Sequence, residues 1–125
     1  MGGGKALINA YYRSAEKLGI QIQYNAEVNE IDIEHGVFKA AIVNHKTPTG
    51  ELLRTERITA KTCVMAAGGF ESNLGWLREA WGQNAQGEFP ADNFLIRGTR
   101  FNQGTLLKHL LNLGADQISD PTQAH

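Results

Sequence analysis

The apolar positions from Lys5 to Leu18 fall at Leu7, Ile8, Tyr11, Ala15 and Leu18, steps of one, three, four and three that gather on one face of an amphipathic helix. Gly19 supplies the stop, because glycine takes the left-handed conformation of a C-terminal cap with no Cβ in the way. The period then changes to two. Ile20-Gln21-Ile22-Gln23-Tyr24 alternates apolar and polar and predicts a half-buried strand. Val28 to Ile33, Val37 to Val43 and Leu52 to Ile58 are β-rich runs; Glu34-His35-Gly36 joins the first two and Thr47-Pro48-Thr49-Gly50 precedes the third, so an antiparallel meander is predicted over 28–58. Thr62 to Ala67 differs in kind. Cys63, Val64, Met65, Ala66 and Ala67 leave it no polar face, which predicts a strand covered on both sides of a sheet, with Cys63 in the core.

Beyond Phe70 the pattern is weakly helical from Asn73 to Trp81, with Trp76 and Trp81 suited to a packing face. Gly82 to Asn93 is polar and carries Gly and Pro, as loops do. Leu106, Leu107, Leu110 and Leu111 then mark a helix from Thr105 to Asn112, begun near Asn102-Gln103-Gly104 and ended at Gly114.

Composition narrows the function classes. At 125 residues, 42% hydrophobic and 20% charged, the chain has the balance of one globular unit. Twelve Lys+Arg against thirteen Asp+Glu give a formal net charge of -1, so no overall field would hold a nucleic acid or an anionic membrane. No apolar run approaches the roughly 20 residues of a spanning helix. One cysteine and the lack of an apolar leader pattern at the opening make the cytoplasm the expected compartment. His35 and His45 lie near hairpin tips and His109 on the polar side of the leucine helix. No pair has metal-ligand spacing, and solvated surface is expected for all three.

The candidate chemistry lies in the glycines, 14 of them, gathered at Gly2-Gly3-Gly4, at Gly68-Gly69 and around Gly98, Gly104 and Gly114. Gly2-Gly3-Gly4-Lys5 lacks the GxxxxGK[ST] spacing and preceding strand of a phosphate loop. A helix beginning just after glycines still directs free N–H groups at an anion, although a mobile chain end fits the same residues. Met65-Ala66-Ala67-Gly68-Gly69-Phe70 offers two readings. The glycines make a tight turn between strand and helix, or they bare the backbone to a ligand at the carboxyl edge of a sheet.

Gly3-Gly4-Lys5-Ala6-Leu7 and its helix, Gly19-Ile20-Gln21-Ile22, Ala26-Glu27-Val28, the meander and Ala66-Ala67-Gly68-Gly69-Phe70-Glu71-Ser72-Asn73 together resemble the middle of the fumarate reductase and succinate dehydrogenase flavoprotein family. The resemblance covers nearly the whole chain and keeps the motifs in order. It implies FAD as cofactor, with Val28, Ala66, Ala67, Gly68 and Gly69 in contact with it, and Gly3 and Gly4 as weaker candidates. The segment Asn102-Gln103-Gly104-Thr105-Leu106 is similar to the family's Asn-Thr-Gly-Asp-Gly, with Thr105 where the acidic residue stands, so that residue's contacts do not carry over. Gln123-Ala124-His125 resembles the family's Gln-x-His-Pro, which makes His125 the candidate contact to a substrate carboxylate.

The fold class implied is α/β as an α+β piece. Residues 1–73 would be part of a Rossmann-like FAD-binding domain with the meander at 28–58, and residues 74–125 the start of a substrate-capping domain. The sequence contains no GxGxxG and no family arginine for proton transfer, so the chain is expected to be an internal piece of a larger flavoprotein, inactive alone. The implied reaction moves a hydride between a carboxylate substrate and flavin N5, making or reducing a C=C bond. Oxidation of tricarballylate to cis-aconitate is the expected case, a separate electron-acceptor protein a possible partner. Two competing readings are a non-catalytic α+β module whose glycines only shape turns, and a segment of a steroid-type FAD dehydrogenase.

Overall fold

A computed structural model describes residues 3–122. The chain is α+β, with elements in the order α1 (Gly3–Lys17), β1 (Ala26–Glu34), β2 (Val37–Lys46), β3 (Leu52–Thr59), α2 (Leu74–Trp81), a 3-10 turn (Pro90–Asn93) and α3 (Thr105–Asn112).

The meander forms as the sequence predicts. β1, β2 and β3 make one antiparallel sheet in that order. The first turn is the two-residue pair His35 and Gly36, both at positive φ (51° and 76°), the twist that suits a tight hairpin. Val28 pairs with Val43 and Glu30 with Ile42, which leaves Asn29 as the extra residue of a bulge. A bulge re-aims the side chain it carries. Ile31, Ala40 and Val43 are the buried residues of the sheet. α3 packs against β1. β3 lies at the edge of the sheet, and its Arg54, Glu56 and Arg57 are all charged; Arg57 pairs with Asp32 of β1 across the middle strand.

α2 starts where Asn73 accepts a hydrogen bond from the Trp76 N–H at 3.0 Å, a side-chain N-cap that satisfies one of the orphan donors of the first turn. Leu77 on α2 and Ala91 on the 3-10 turn are buried, and Arg78 grips Asp92 through two bonds, Nε to Oδ1 at 2.6 Å and Nη2 to Oδ2 at 3.0 Å. α3 covers Thr105–Asn112, the range its leucines predict, with Leu106 buried.

Two predicted strands do not form. Residues 20–24 and 62–67 pair with no strand among the described residues, leaving Ile20 56% and Val64 89% exposed. A strand interior to a sheet exists by bonding its neighbours on both sides, and the three strands present bond only one another. Cys63 is accordingly exposed rather than in a core. α1 has no buried residue and packs against no other helix or strand among the described residues. Its apolar stripe, Leu7, Ile8 and Tyr11 included, faces outward uncovered. No helix among the described residues is long and apolar enough to cross a membrane.

Candidate functional site

Two loops, 68–73 and 98–104, are stitched together edge to edge. The Ser72 N–H donates to the Asn102 carbonyl at 3.0 Å, and Ser72 Oγ donates to the Thr99 carbonyl at 2.6 Å. Asn73 Nδ2 donates to the Gln103 carbonyl at 3.1 Å, and Gln103 Nε2 returns a bond to the Ser72 carbonyl at 2.9 Å. Phe70 stacks on Trp76 with ring centroids 4.2 Å apart. Gly104 is buried beneath that pair at φ 72°, where an added Cβ would lie 2.6 Å from Phe70 Cβ.

Within this seam the side chains of Asn102 and Glu71 meet: Asn102 Nδ2 donates to Glu71 Oε1. That bond, chiefly, and the residue's own N–H hold the Glu71 carboxyl below the ordinary range for glutamate. A Cβ built on Gly68, which sits at φ 76°, would come within 2.7 Å of Asn102 Oδ1; one built on Gly69 would come within 2.9 Å of Glu71 Oε2. Both glycines therefore make room for that pair on the side where a Cβ would stand.

Beside the seam opens a cavity of about 650 Å³, within the usual range for small-molecule sites. Gly69, Phe70, Glu71, Arg97 and Gly98 line it together with the apolar Leu77, Trp81, Phe94 and Leu107. Trp81 sets an edge against Phe94, centroids 5.0 Å apart, and its Nε1 donates to the Pro121 carbonyl at 3.2 Å. Arg97 forms no ion pair among the described residues. The cavity thus offers an apolar lining, one carboxylate and one cation that forms no ion pair among the described residues.

Of the residues singled out in the sequence, Gly69 lines this cavity, and Gly68 sits one residue before it with its backbone exposed. Ala66 and Ala67 are exposed and lead the chain up to the cavity. Val28 lies elsewhere, half-buried opposite Val43. Its neighbour Asn29, carried by the bulge, reaches a second, polar groove with Asn73, Gln103, Lys108 and His109. Gly3 and Gly4 are exposed on α1 with open space around them and take no part in the cavity. His125 lies outside the described residues.

Two histidines expected at the solvated surface are instead engaged. His109 Nε2 bonds the Ile31 carbonyl at 2.8 Å and ties α3 to β1. His45, whose side chain is 13% exposed, bonds Glu56 Oε2 at 2.7 Å, with Arg54 completing the cluster. Sequence reasoning missed both because helix and hairpin position says which way a residue leans, not which neighbour leans back. It passed over Glu71 and Asn102 too. Both stand inside the motifs that carry the resemblance, and position one residue after Phe70 and two before Gly104 was the available signal. No group of three His, Cys, Asp or Glu able to hold a metal occurs among the described residues.

The family model described as FAD binding domain matches residues 1–120. The chain belongs to that family. No curated protein and no solved structure matches the chain. Its cofactor is FAD, and the match points to the FAD-dependent oxidoreductases. The cavity fits such a group: Leu77, Trp81 and Phe94 give it an apolar lining, and the Glu71 carboxylate, with Gly69 and Gly98 beside it, gives it a hydrogen-bond acceptor.

Proposed function

We propose that the chain is a section of an FAD-dependent enzyme of the fumarate reductase type, acting on a carboxylate substrate. In this reading residues 1–73 are part of a Rossmann-like FAD-binding domain and residues 74–125 the start of a capping domain. The observation that carries it is the cavity lined by Gly69 and Gly98, standing where the Ala66-Ala67-Gly68-Gly69-Phe70 motif ends. Gly68, Gly69, Ala66, Ala67 and Val28 are the proposed cofactor contacts, Gly3 and Gly4 further candidates, and His125 the proposed substrate contact.

Held by Gly68, Gly69 and the other proposed contacts, FAD would supply the hydride-transfer chemistry by which a C=C bond beside a carboxylate is made or reduced. The chain's own residues bind and orient. Trp81, Phe94 and Leu77 would exclude water from a bound ring, and Arg97, a planar cation with no ion pair among the described residues, would draw a carboxylate toward the cavity. Overall likeness to tricarballylate dehydrogenase supports tricarballylate as substrate and cis-aconitate as product, with electrons passing on to a separate acceptor protein.

The test is to purify the larger flavoprotein of which this reading makes the chain a section, record its flavin absorbance, and then add tricarballylate without oxygen. Yellow protein whose flavin bleaches with tricarballylate is expected, and Gly69→Val is expected to come out colourless yet folded. A colourless wild-type protein would sink the reading; yellow protein that no di- or tricarboxylate bleaches would sink the substrate class.

A further inference from the structure

Gly69 does not need glycine for its backbone angle, since its φ lies outside the left-handed region that Gly68 occupies. Its missing side chain answers to something else: Glu71 Oε2 stands 2.9 Å from where a Cβ would be. Gly98, which also lines the cavity, has Glu71 Oε1 at 3.4 Å from its own Cβ position. One carboxylate therefore lies between two bare backbones, an oxygen toward each. Asn102 holds Oε1, and Asn102 is itself fixed by the bond from the Ser72 N–H and by its seat over Gly68.

Glu71 lines the cavity. Beyond Asn102 and Glu71's own N–H, no residue among those described donates to its carboxylate. An ionised carboxylate only accepts hydrogen bonds, so the group that completes it must donate, which selects a hydroxyl or a ring N–H and repels a phosphate or a second carboxylate. We propose that Glu71 is the residue through which this cavity grips the flavin nucleotide, accepting a hydrogen bond from a hydroxyl or ring N–H of it, with Gly69 and Gly98 kept free of side chains to seat the carboxylate. Asn102 is its positioning residue. The assignment rests on the flavin reading above.

The experiment uses the larger flavin-loaded protein that contains this chain and compares FAD dissociation constants and the melting of the flavin-free form for Glu71→Gln, Glu71→Ala, Gly69→Ala and the double variant Gly69→Ala with Glu71→Ala. Glu71→Gln keeps an acceptor for Asn102 while removing the charge, and it is expected to weaken FAD roughly tenfold or more with little change in melting. Gly69→Ala is expected to weaken FAD similarly, and the double variant to be no worse than Glu71→Ala alone, because the added methyl no longer meets a carboxylate. FAD affinity within twofold of wild type in both Glu71 variants, or losses that simply multiply in the double variant, overturns the assignment while leaving the flavin reading standing. Wild-type protein that holds no flavin overturns both.

Discussion

At Gly104 two demands meet in one residue. Its φ of 72° is strained for any side chain, and Phe70 and Trp76 fill the space a methyl would need. Gly104→Ala is expected to cost about 2 to 4 kcal/mol, left-handed strain plus overpacking, read as a lowered urea midpoint with unchanged slope. The sequence marks Gly104 as the start of a helix, and that is right as far as it goes. Its pressing against an aromatic stack follows from the fold of two loops some thirty residues apart, which no local pattern contains. Glu71 and Asn102 stayed hidden for the same reason: each is an ordinary polar residue until the other is placed beside it.

α2 depends on its N-cap more than on its propensity, being only eight residues long. Asn73 both caps it and donates to the Gln103 carbonyl, so Asn73→Ala removes two bonds at once. A loss of about 2 kcal/mol is expected, and Asn73→Ser, which keeps only the cap, should recover part of it in the same thermal melt. Elements whose stabilising contacts are local were legible: the leucine helix and the meander came out within a few residues of their predicted bounds. The runs 20–24 and 62–67 were read as strands because they carry a strand's alternation or apolarity. Those features describe what a segment is fit to bury, and burial needs neighbours that the described residues do not supply.

Across the whole molecule, three carboxylates share one tendency. Glu71, Glu56 and Asp92 are held below their ordinary range, chiefly by bonds from Asn102, Arg54 and Arg78 respectively. A carboxyl group depressed in the folded state stabilises that state fully above its unfolded-state value and ceases to do so as pH falls through the folded value. Stability is therefore expected to be flat from pH 8 to about 5.5 and to fall as pH drops below roughly 4.5, checked by unfolding free energy against pH. The uncovered stripe of α1 together with Ile20, Ile22 and Val64 makes a second molecular property measurable. The chain is expected to brighten a hydrophobic dye such as anilinonaphthalene sulfonate in native buffer; no brightening would mean those faces are covered in solution.

The rim strand β3 shows how the chain lives with an open ladder. A row of unbonded amides and carbonyls at a sheet margin is a template on which a second molecule can build. Arg54, Glu56 and Arg57 stand along that margin. A copy laid against it in antiparallel register would strip these charges of water, and with Arg54 opposite Arg57 or Glu56 opposite Glu56 it would also bring like charges together. A molecule with greasy faces elsewhere is thereby steered away from fibrils, and neutralising those three side chains together would remove the guard.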